Sequence, residues 1–391
     1  MGEILRPLGP IVCVVGARPN YMKMAPLIRA FARQQKKLPG VVLVHTGQHY
    51  DVAMNELLFA ALELPAPDLN LEVGSGTHAT QTAEIMRRFE PVVEELKPSC
   101  VIVVGDVNST LACSLVASKT RTPLMHVEAG LRSYDREMPE EINRLLTDQL
   151  ADVLYTTERD AADNLAREGI DAARIHFAGN VMIDSLLQHR PRAVPVTDTL
   201  KRAGYDAAIA TSSERFGVVT LHRPSNVDGS DAFAEALTIL RDVSQRLPLI
   251  WPVHPRARAN IERFGLASLV ADAPIVLLEP QGYLEMLGLL AHARLVLTDS
   301  GGIQEETTAL AVPCLTMREN TERPITVSQG TNTVVGRDRA RTAACVDEIL
   351  RTGGKRGRIP ELWDGHAADR ITVHLHQWLS SRHALAEPRF A

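Results

Sequence analysis

Long apolar runs, aromatic side chains and positive charge are all scarce in this sequence. Phe, Trp and Tyr together make up 4% of the 391 residues, and the net charge is −5 at pH 7. No apolar run approaches the roughly 18 residues that predict a membrane-spanning helix, and the apolar segment Ile11 to Val15 is too short for a signal peptide. We therefore expect a cytoplasmic protein without a nucleic-acid or membrane partner, in which local positive charge binds any anionic ligand.

Cysteines and several familiar catalytic motifs are also sparse or missing. The five cysteines contain no Cys-x-x-Cys pair, so we expect free thiols in a reducing compartment. No His-Glu-x-x-His motif and no tight His/Cys cluster is present, and we predict no metal site. A Walker phosphate loop, a nucleophile elbow and a glycine-rich dinucleotide turn after the first strand are absent too, and we expect no cofactor.

The sequence does have a globular composition and a repeating pattern of short apolar runs. Hydrophobic residues make up 45% and charged residues 23% of the chain, whose length suits two domains. Runs such as Cys100–Val104 and Leu295–Thr298 are rich in β-branched residues and are followed by turn residues and a helical pattern. Because these runs do not alternate polar and apolar residues, they indicate parallel strands covered on both faces.

The gaps between these runs carry amphipathic helical patterns. One predicted helix has Ala83, Met86, Val93 and Leu96 on its apolar face, and we expect it to break or kink near Pro91. The βα alternation occurs in both halves of the chain. It predicts an α/β fold with two doubly wound, Rossmann-like domains and an active-site cleft between them.

A Pro-rich stretch without strand character near residues 185–212 indicates the domain boundary. We predict an N-terminal domain over residues 1–190 and a C-terminal domain over residues 191–366. A further helix over residues 367–385 is expected to pack back on the first domain.

Polar residues collect directly after the predicted strands, where ligands bind in open α/β sheets. Asp299-Ser300-Gly301-Gly302 joins a strand to a helix, and its glycines and helix amides suit a diphosphate. The alternative is a simple turn with Ser300 as the N-cap and two glutamates that complement the helix dipole. Arg323 and Arg18, which follow other strands, favour the diphosphate, and Glu306 would then accept hydrogen bonds from ribose hydroxyls.

Cations and acids follow strands in the first half of the chain. Arg18 and Lys23 suit a phosphate. The alternative is a solvated helix start, but positive charge there opposes the helix dipole, which favours a functional role. Asp106 and Glu128 each directly follow a predicted buried strand, which favours a chemical role. Glu140 could be catalytic or could be part of an acid pair at a helix start, and for its neighbour Glu141 the structural role is favoured.

Taken in order, these motifs closely resemble the non-hydrolysing UDP-N-acetylglucosamine 2-epimerases, and the resemblance runs roughly from Ile11 to Trp378. The resemblance rests on eight segments: Gly16 to Pro26, Gly47 to His49, Gly105-Asp106, His126 to Arg132, Pro139 to Arg144, His222-Arg223, Asp299 to Glu306, and Arg318 to Pro324. It implies a two-domain fold like that of GT-B glycosyltransferases, a homodimer, and UDP held mainly by the second domain.

The resemblance also implies roles for single residues. The catalytic group would be Asp106, Glu128, Glu140 and His222. The UDP contacts would be Arg18, Lys23, Gln281, Met286, Ser300, Gly301, Gly302, Glu306 and Arg323, with Met286 standing where the family usually has an aromatic residue. A second site for UDP-N-acetylglucosamine would lie near Gln48 and His49, although residues 72–77 lack the basic residue expected there.

The implied reaction is the reversible epimerisation of UDP-N-acetylglucosamine to UDP-N-acetylmannosamine by elimination and re-addition of UDP. Departures from the family pattern at Ala17, Asn20 and Pro224-Ser225 leave room for a related substrate, such as a UDP-2,3-diacetamido-uronate. Competing interpretations are a GT-B glycosyltransferase, a hydrolysing epimerase and a sugar-nucleotide sensor. The acids after first-domain strands argue against the transferase and the sensor.

Overall fold

The computed structural model describes residues 9–34, 36–48, 58–206 and 216–386. The chain divides into two compact units. Unit 1 comprises Met1–Ser185 with Glu361–Ala391, and unit 2 comprises Leu186–Pro360. Each unit contains a parallel sheet with helices between its strands, which confirms the predicted α/β class with two doubly wound, GT-B-like domains. None of the described helices is long and apolar enough to cross a membrane.

The sheet of unit 1 has the order β3-β2-β1-β4-β5-β6-β7, and its described strand pairs are all parallel. Its strands are β1 (Ile11–Val15), β2 (Val41–His45), β3 (Leu69–Asn70), β4 (Cys100–Val104), β5 (Leu124–Ala129), β6 (Val153–Thr156) and β7 (Ile175–Phe177). The helices between them are α1 (Arg18–Arg33), α2 (His78–Leu96), α3 (Asn108–Lys119), α4 (Pro139–Leu150), α5 (Arg159–Arg167) and α6 (Val181–His189).

The sheet of unit 2 has the order β10-β9-β8-β11-β12-β13 and is parallel as well. Its strands are β8 (Gly217–Thr220), β9 (Leu249–Pro252), β10 (Ile275–Leu278), β11 (Leu295–Thr298), β12 (Cys314–Thr316) and β13 (Asn332–Val334). Its helices are α7 (Val196–Arg202), α8 (Pro224–Val227), α9 (Ser230–Ser244), α10 (Pro255–Arg263), α11 (Ser268–Ala271), α12 (Tyr283–His292), α13 (Gly301–Ala309), α14 (Pro324–Ser328) and α15 (Arg339–Thr352).

Apolar residues of the inner strands β1, β4, β5, β6, β8 and β11 are almost fully buried, as expected for sheets covered on both faces. In unit 2, Phe233, Leu237 and Leu240 of α9 pack on the strands from one side. The five cysteines are free, and burial raises the pKa of Cys100 to about 12. The thiol of Cys100 is therefore not a reactive nucleophile.

One helix departs from its predicted form. Helix α2 runs unbroken through Pro91, so the expected break does not occur, and Ala83 is exposed rather than on the buried face. The buried stripe is Ile85, Phe89 and Val93, at every fourth residue. Their burial stabilises the helix on both sides of Pro91 and offsets the roughly 3 kcal/mol that an internal proline costs.

The last described helix, α16 (Ala367–Ala386), packs against α1 within unit 1. Its first turn is capped from a distance, because the carboxylate of Asp184 accepts the amides of Ala367 at 3.1 Å and Ala368 at 2.7 Å. Further along, the Tyr155 hydroxyl is hydrogen-bonded to Nδ1 of His374, 2.9 Å away.

We predict that His374 makes the protein acid-sensitive. Burial and the neighbouring His176, whose ring centroid is 3.7 Å away, lower the pKa of His374 from 6.5 to about 4. As the pH falls below about 6.5, His374 is protonated in the unfolded chain but stays neutral in the folded chain. The contribution of this residue to folding stability is therefore complete above pH 6.5 and is lost towards pH 4. The melting temperature of the wild type should fall when the pH is lowered from 7.5 to 4.5. For His374→Gln this fall should be smaller by about 2–4 °C.

Thermal unfolding by circular dichroism at both pH values would measure this difference. His376→Gln, two residues further along the same helix, is the matched control and should behave like the wild type. An identical acid shift in His374→Gln and the wild type would contradict the prediction.

Candidate active site

The strand orders place one switch point in each sheet, where the chain changes direction across the sheet. In unit 1 it lies between β1 and β4, and in unit 2 between β8 and β11. The turns after these strands diverge and leave a crevice at the carboxyl edge of each sheet. Arg18 and Asp106 follow the strands at the first switch point, and His222 and Ser300 follow those at the second. The other candidate residues lie on or after neighbouring strands and helices.

The turn from β1 into α1 is held by Asn20. Its Oδ1 accepts the amides of Gly16 and Ala17, each at 3.1 Å, and its Nδ2 donates to the Val104 carbonyl at the end of β4, 2.9 Å away. Helix α1 then begins at Arg18, which is half-buried. The sequence interpretation noted Asn20 only as a departure from the family pattern. It is the side chain that fixes this turn to the neighbouring strand.

Lys23 lies more than one turn inside α1, not at the helix start where the sequence placed it. Its ammonium donates to Glu128 Oε1 at 2.7 Å, and both side chains are almost fully buried. The backbone of Gly105, with φ of 66°, passes so close to this ammonium that a Cβ there would lie 2.8 Å from Nζ. The ammonium of Lys23 therefore contacts an acid that the resemblance places in catalysis.

Glu128 lies within strand β5, so the expectation that it directly follows the strand is wrong. The register with β6 shifts between Val127 and Ala129, and Glu128 has a φ of 74°. This left-handed backbone is unfavourable for a glutamate and costs on the order of 1–3 kcal/mol. A bulge at this point re-aims the side chain. The polar-apolar pattern of β5 carries no sign of it.

Asp106, just beyond β4, is held by helix α4. Its carboxylate accepts a hydrogen bond from Arg144, and its carbonyl accepts one from Asn143 Nδ2 at 2.8 Å. Arg144 is buried and pairs with Glu141 as well, at 2.6 Å. Arg144 lay inside a quoted motif but received no role from the sequence.

Glu141 has the structural role that the sequence favoured. Its carboxylate accepts the amides of Ser133 at 3.0 Å and Tyr134 at 2.9 Å. Burial alone would raise the pKa of Glu141, but these amides and the Arg144 guanidinium outweigh it and hold the pKa below its ordinary value. Its neighbour Glu140 is half-buried in the first turn of α4.

Gln48 is buried, and its Oε1 accepts a hydrogen bond from the Ser109 hydroxyl at 2.6 Å. Its carbonyl accepts from Gln81 of α2 at 3.4 Å. The other residue of the expected second site, His49, lies outside the described residues.

In unit 2 the crevice is organised by Asp299, just after β11. Its buried carboxylate accepts the amides of His222 and Arg223, at 3.0 and 2.9 Å, and lies 3.1 Å from His222 Nδ1. Burial alone would raise the pKa of Asp299, but the His222 ring and these donors outweigh it, so the pKa is lowered. His222 therefore donates from Nδ1 and is half-exposed. The sequence did not assign Asp299 the role of holding this turn. Its position directly after a predicted strand is the signal that could have indicated it.

Helix α13 begins in the turn that the sequence proposed for a diphosphate. Ser300 occupies the N-cap position but makes no capping hydrogen bond with its side chain. Gly301 packs against the Glu322 carboxylate so closely that a Cβ there would collide with it, and Glu322 pairs with Arg318 at 2.8 Å. Gly302 follows in the first turn and is half-buried. An acid thus stands at the start of this helix.

The two glutamates of α13 are both buried. They are therefore not the solvent-facing pair that the alternative of a simple helix start would give. Glu305 pairs with Arg323 at 3.0 Å. Burial and the adjacent Glu305 raise the pKa of Glu306 to about 8. The hydroxyl of Tyr283 lies beside the Glu306 carboxylate, and its hydrogen bond to that carboxylate partly opposes the rise.

The remaining expected UDP contacts lie after β10. Gln281 is half-buried and donates to the Glu279 carbonyl at 2.8 Å. Met286 lies in α12 and packs partly against the core of unit 2. Arg323 is buried beside Glu305 and precedes α14.

The two doubly wound sheets, with acids at one switch point and a Ser-Gly-Gly turn at the other, are typical of GT-B-like enzymes that use nucleotide sugars. The family model described as UDP-N-acetylglucosamine 2-epimerase matches residues 32–376. The chain belongs to this family, whose members are isomerases.

Relatives and solved structures agree with this membership. A UDP-N-acetylglucosamine 2-epimerase of Methanococcus maripaludis is 38% identical over 87% of this chain and 91% of its own. A UDP-2,3-diacetamido-2,3-dideoxy-D-glucuronate 2-epimerase of Pseudomonas aeruginosa is 41% identical over 83% and 88%. The crystal structure of the Methanocaldococcus jannaschii UDP-GlcNAc 2-epimerase with UDP-GlcNAc and UDP matches with a TM-score of 0.82 and 38% identity, over 94% of this chain and 99% of that one.

We predict that Glu306→Gln stabilises the protein at alkaline pH. The folded chain holds a proton on Glu306 up to about pH 8, whereas the unfolded chain releases it near pH 4.5, so stability is lost as pH rises between these values. Gln is never charged and does not lose this stability. The variant should match the wild type near pH 5 and exceed it at pH 8.5 by on the order of a few kcal/mol.

Thermal or urea unfolding at the two pH values would measure the effect. Glu305→Gln should instead destabilise at both pH values, because it removes the carboxylate that pairs with the buried Arg323 at 3.0 Å. A Glu306→Gln variant that is less stable than the wild type at pH 8.5 would refute the prediction.

Proposed function

We propose that this protein is a non-hydrolysing UDP-N-acetylglucosamine 2-epimerase, which converts UDP-N-acetylglucosamine reversibly to UDP-N-acetylmannosamine. The observation that carries the proposal is the pair of acids at the switch point of unit 1. Glu128 is buried on Lys23 and Asp106 is held by Arg144, at the ends of adjacent strands. The similarity to enzymes named for this activity supports it.

The chemistry explains why such an enzyme needs acids. The proton on sugar carbon 2 has no neighbouring carbonyl and is not acidic enough for direct removal and return. In the proposed route a base takes this proton, the carbon 1–oxygen bond to UDP breaks, and a carbon 1–carbon 2 double bond forms. UDP then adds back at carbon 1 while carbon 2 receives a proton on the opposite face. Two protonation sites, one on each face, are required.

We assign these proton transfers to Asp106, Glu128 and Glu140. The ammonium of Lys23 lies 2.7 Å from Glu128 Oε1 and pairs with this carboxylate. His222, with Nδ1 directed at Asp299, presents Nε2 for proton transfer or for the departing diphosphate.

The leaving UDP needs stabilisation as negative charge develops on its diphosphate. We assign this to Arg18, Arg323 and the amides of Ser300, Gly301 and Gly302. Lys23 would add to the positive potential. Glu306 would bind the ribose hydroxyls through its carboxyl group. Gln281 and Met286 would border the uracil.

Proton NMR of the protein with UDP-N-acetylglucosamine in heavy water tests the proposal. We expect UDP-N-acetylmannosamine with UDP attached and deuterium at carbon 2. Free N-acetylmannosamine with UDP would instead identify a hydrolysing enzyme. Unchanged, undeuterated substrate would refute the proposed activity on this sugar.

We predict that Asp106→Asn, Glu128→Gln and Glu140→Gln each lower kcat by about 10²-fold or more, because each removes a proton-transfer group. UDP binding, measured by calorimetry, should survive. Glu137→Gln is the matched control, since Glu137 is exposed in the loop before α4. Turnover near the wild-type value in any of the three variants would remove that residue from the mechanism.

A UDP-2,3-diacetamido-uronate is the second candidate substrate. The 41% identity to the Pseudomonas aeruginosa enzyme named for that sugar favours it. Direct comparison of kcat/KM for the two UDP-sugars would decide, and a higher value for the uronate would replace the first proposal.

We further propose a homodimer that acts in the cytoplasm, as the family resemblance implies, with a second UDP-N-acetylglucosamine site near Gln48. Free cysteines suit a reducing compartment. Light scattering gives the oligomeric state. A sigmoidal dependence of rate on UDP-N-acetylglucosamine would support the second site, and a hyperbolic one would argue against it.

A further inference from the structure

Gln304 of α13 is fully buried and joins two parts of unit 2 through hydrogen bonds. Its Nε2 donates to the Ser300 carbonyl at 3.3 Å. Its Oε1 accepts the Thr321 hydroxyl at 2.6 Å, and that hydroxyl in turn accepts the Arg323 amide at 3.0 Å. A continuous path of hydrogen bonds therefore connects the turn at Ser300 with the backbone of Arg323.

A second branch of the network reaches Arg323 from the other side. Asn332, at the start of β13, is fully buried, and its Nδ2 donates to Gln304 Oε1 at 3.0 Å and to the Thr326 hydroxyl at 3.1 Å. The Thr326 hydroxyl donates to the Arg323 carbonyl at 2.7 Å. The backbone of Arg323 is thus held at both its amide and its carbonyl, and both branches meet at Gln304.

The directions of these hydrogen bonds follow from the two ends of the network. The Arg323 carbonyl can only accept, so the Thr326 hydroxyl donates to it and accepts from Asn332. The amide nitrogen of Asn332 therefore faces Gln304. The Arg323 amide can only donate, so the single hydrogen of the Thr321 hydroxyl is directed at Gln304. Both branches require the same Gln304 oxygen at the centre, and a satisfied buried network of this kind is rigid.

The loop of residues 321–323 contacts α13 at two further places. The carboxylate of Glu322 lies where a Cβ on Gly301 would be, and Arg323 pairs with Glu305 at 3.0 Å. The loop is therefore fitted against the first turn of the helix through three successive residues. Of these contacts, the one through Thr321 holds the backbone of Arg323 rather than its guanidinium.

The two elements that this network joins are those that would bind the leaving diphosphate. Backbone amides of the turn and a guanidinium on a separate loop stabilise an anion well only when their spacing is fixed in advance. Elements that have to be ordered by the ligand weaken its binding. Gln304 lies between the two elements and contacts both.

We propose that Gln304, acting through Thr321, is a positioning residue that fixes Arg323 relative to the Ser300–Gly302 turn and so makes them one rigid diphosphate site. The proposal rests on the proposed function, since it takes these groups as the contacts of the UDP diphosphate. Neither Gln304 nor Thr321 exchanges a proton with the substrate.

Two substitutions of Thr321 test the proposal. Thr321→Val keeps the shape of the side chain and removes the hydroxyl, so the Arg323 amide loses its acceptor. We expect UDP affinity, measured by calorimetry, to fall about ten-fold, with a higher KM for the UDP-sugar and a kcat lower by a similar factor. Thr321→Ser keeps the hydroxyl and should restore all three values. A serine variant as impaired as the valine variant would overturn the proposal.

A comparison of UDP with uridine separates positioning from a general structural role. Uridine lacks the diphosphate, so its inhibition constant in Thr321→Val should stay within about two-fold of the wild type while UDP binding weakens. An equal loss for both ligands would overturn the positioning role, because a loosened fold affects the whole nucleotide site.

Thr307→Val is the matched control. Thr307 is a fully buried threonine of the same helix, and its hydroxyl donates to the Ile303 carbonyl at 2.7 Å within that helix. This variant should keep the UDP affinity and kcat of the wild type, even where its melting temperature is lower.

A double-mutant cycle in UDP binding tests the path through Gln304. Gln304→Met keeps the length of the side chain and cuts the network at its centre. Because Thr321→Val cuts the same path, the double variant should bind UDP about as weakly as Gln304→Met alone. Fully additive losses would contradict the path. If Gln304→Met does not fold, the valine and serine variants of Thr321 test the proposal without it.

Wild-type UDP affinity and KM in folded Thr321→Val would overturn the positioning role. Wild-type protein that binds UDP without epimerase activity would refute the proposed function instead. In that case the UDP and uridine measurements still decide whether this network organises a diphosphate site.

Discussion

The ion pair between Lys23 and Glu128 is the interaction on which the acids of unit 1 depend. Two charges that are almost fully buried stabilise each other, and removal of one member of such a pair costs about 3–5 kcal/mol. The pair joins α1 to β5 over the end of β4, and the backbone of Gly105 passes beside it. The β1 turn, the β4 turn and the β5 bulge are thereby fixed relative to one another.

The buried carboxylate of Asp299 in unit 2 is stabilised without a lysine. It accepts hydrogen bonds from the His222 ring, from the amides of His222 and Arg223, and from Asn226 Nδ2. Backbone amides cost no side-chain entropy and cannot swing away. Glu306 keeps a raised pKa, because burial and the adjacent Glu305 outweigh its hydrogen bond with Tyr283.

Much of the fold was predictable, because parallel strands buried on both faces leave continuous apolar runs such as Cys100–Val104. The motif residues after the strands also lie at the predicted sheet edges. The bulge at Glu128 and the unbroken helix through Pro91 were not predictable, since both depend on tertiary packing that overrides local preference. The same holds for Arg144, whose role depends on which turn faces α4.

The backbone of Glu128 and the chemistry of its carboxylate make opposite demands on one position. A φ of 74° favours glycine, which has no side chain to strain. Glycine at position 128 would remove the carboxylate that pairs with the buried Lys23 ammonium. Methionine in place of Lys23 would then remove the remaining positive charge. A laboratory selection for thermostability alone would therefore favour this pair of changes, which removes the carboxylate of Glu128. Stability screens of this fold need a simultaneous readout of turnover, or they will enrich well-folded, inactive chains.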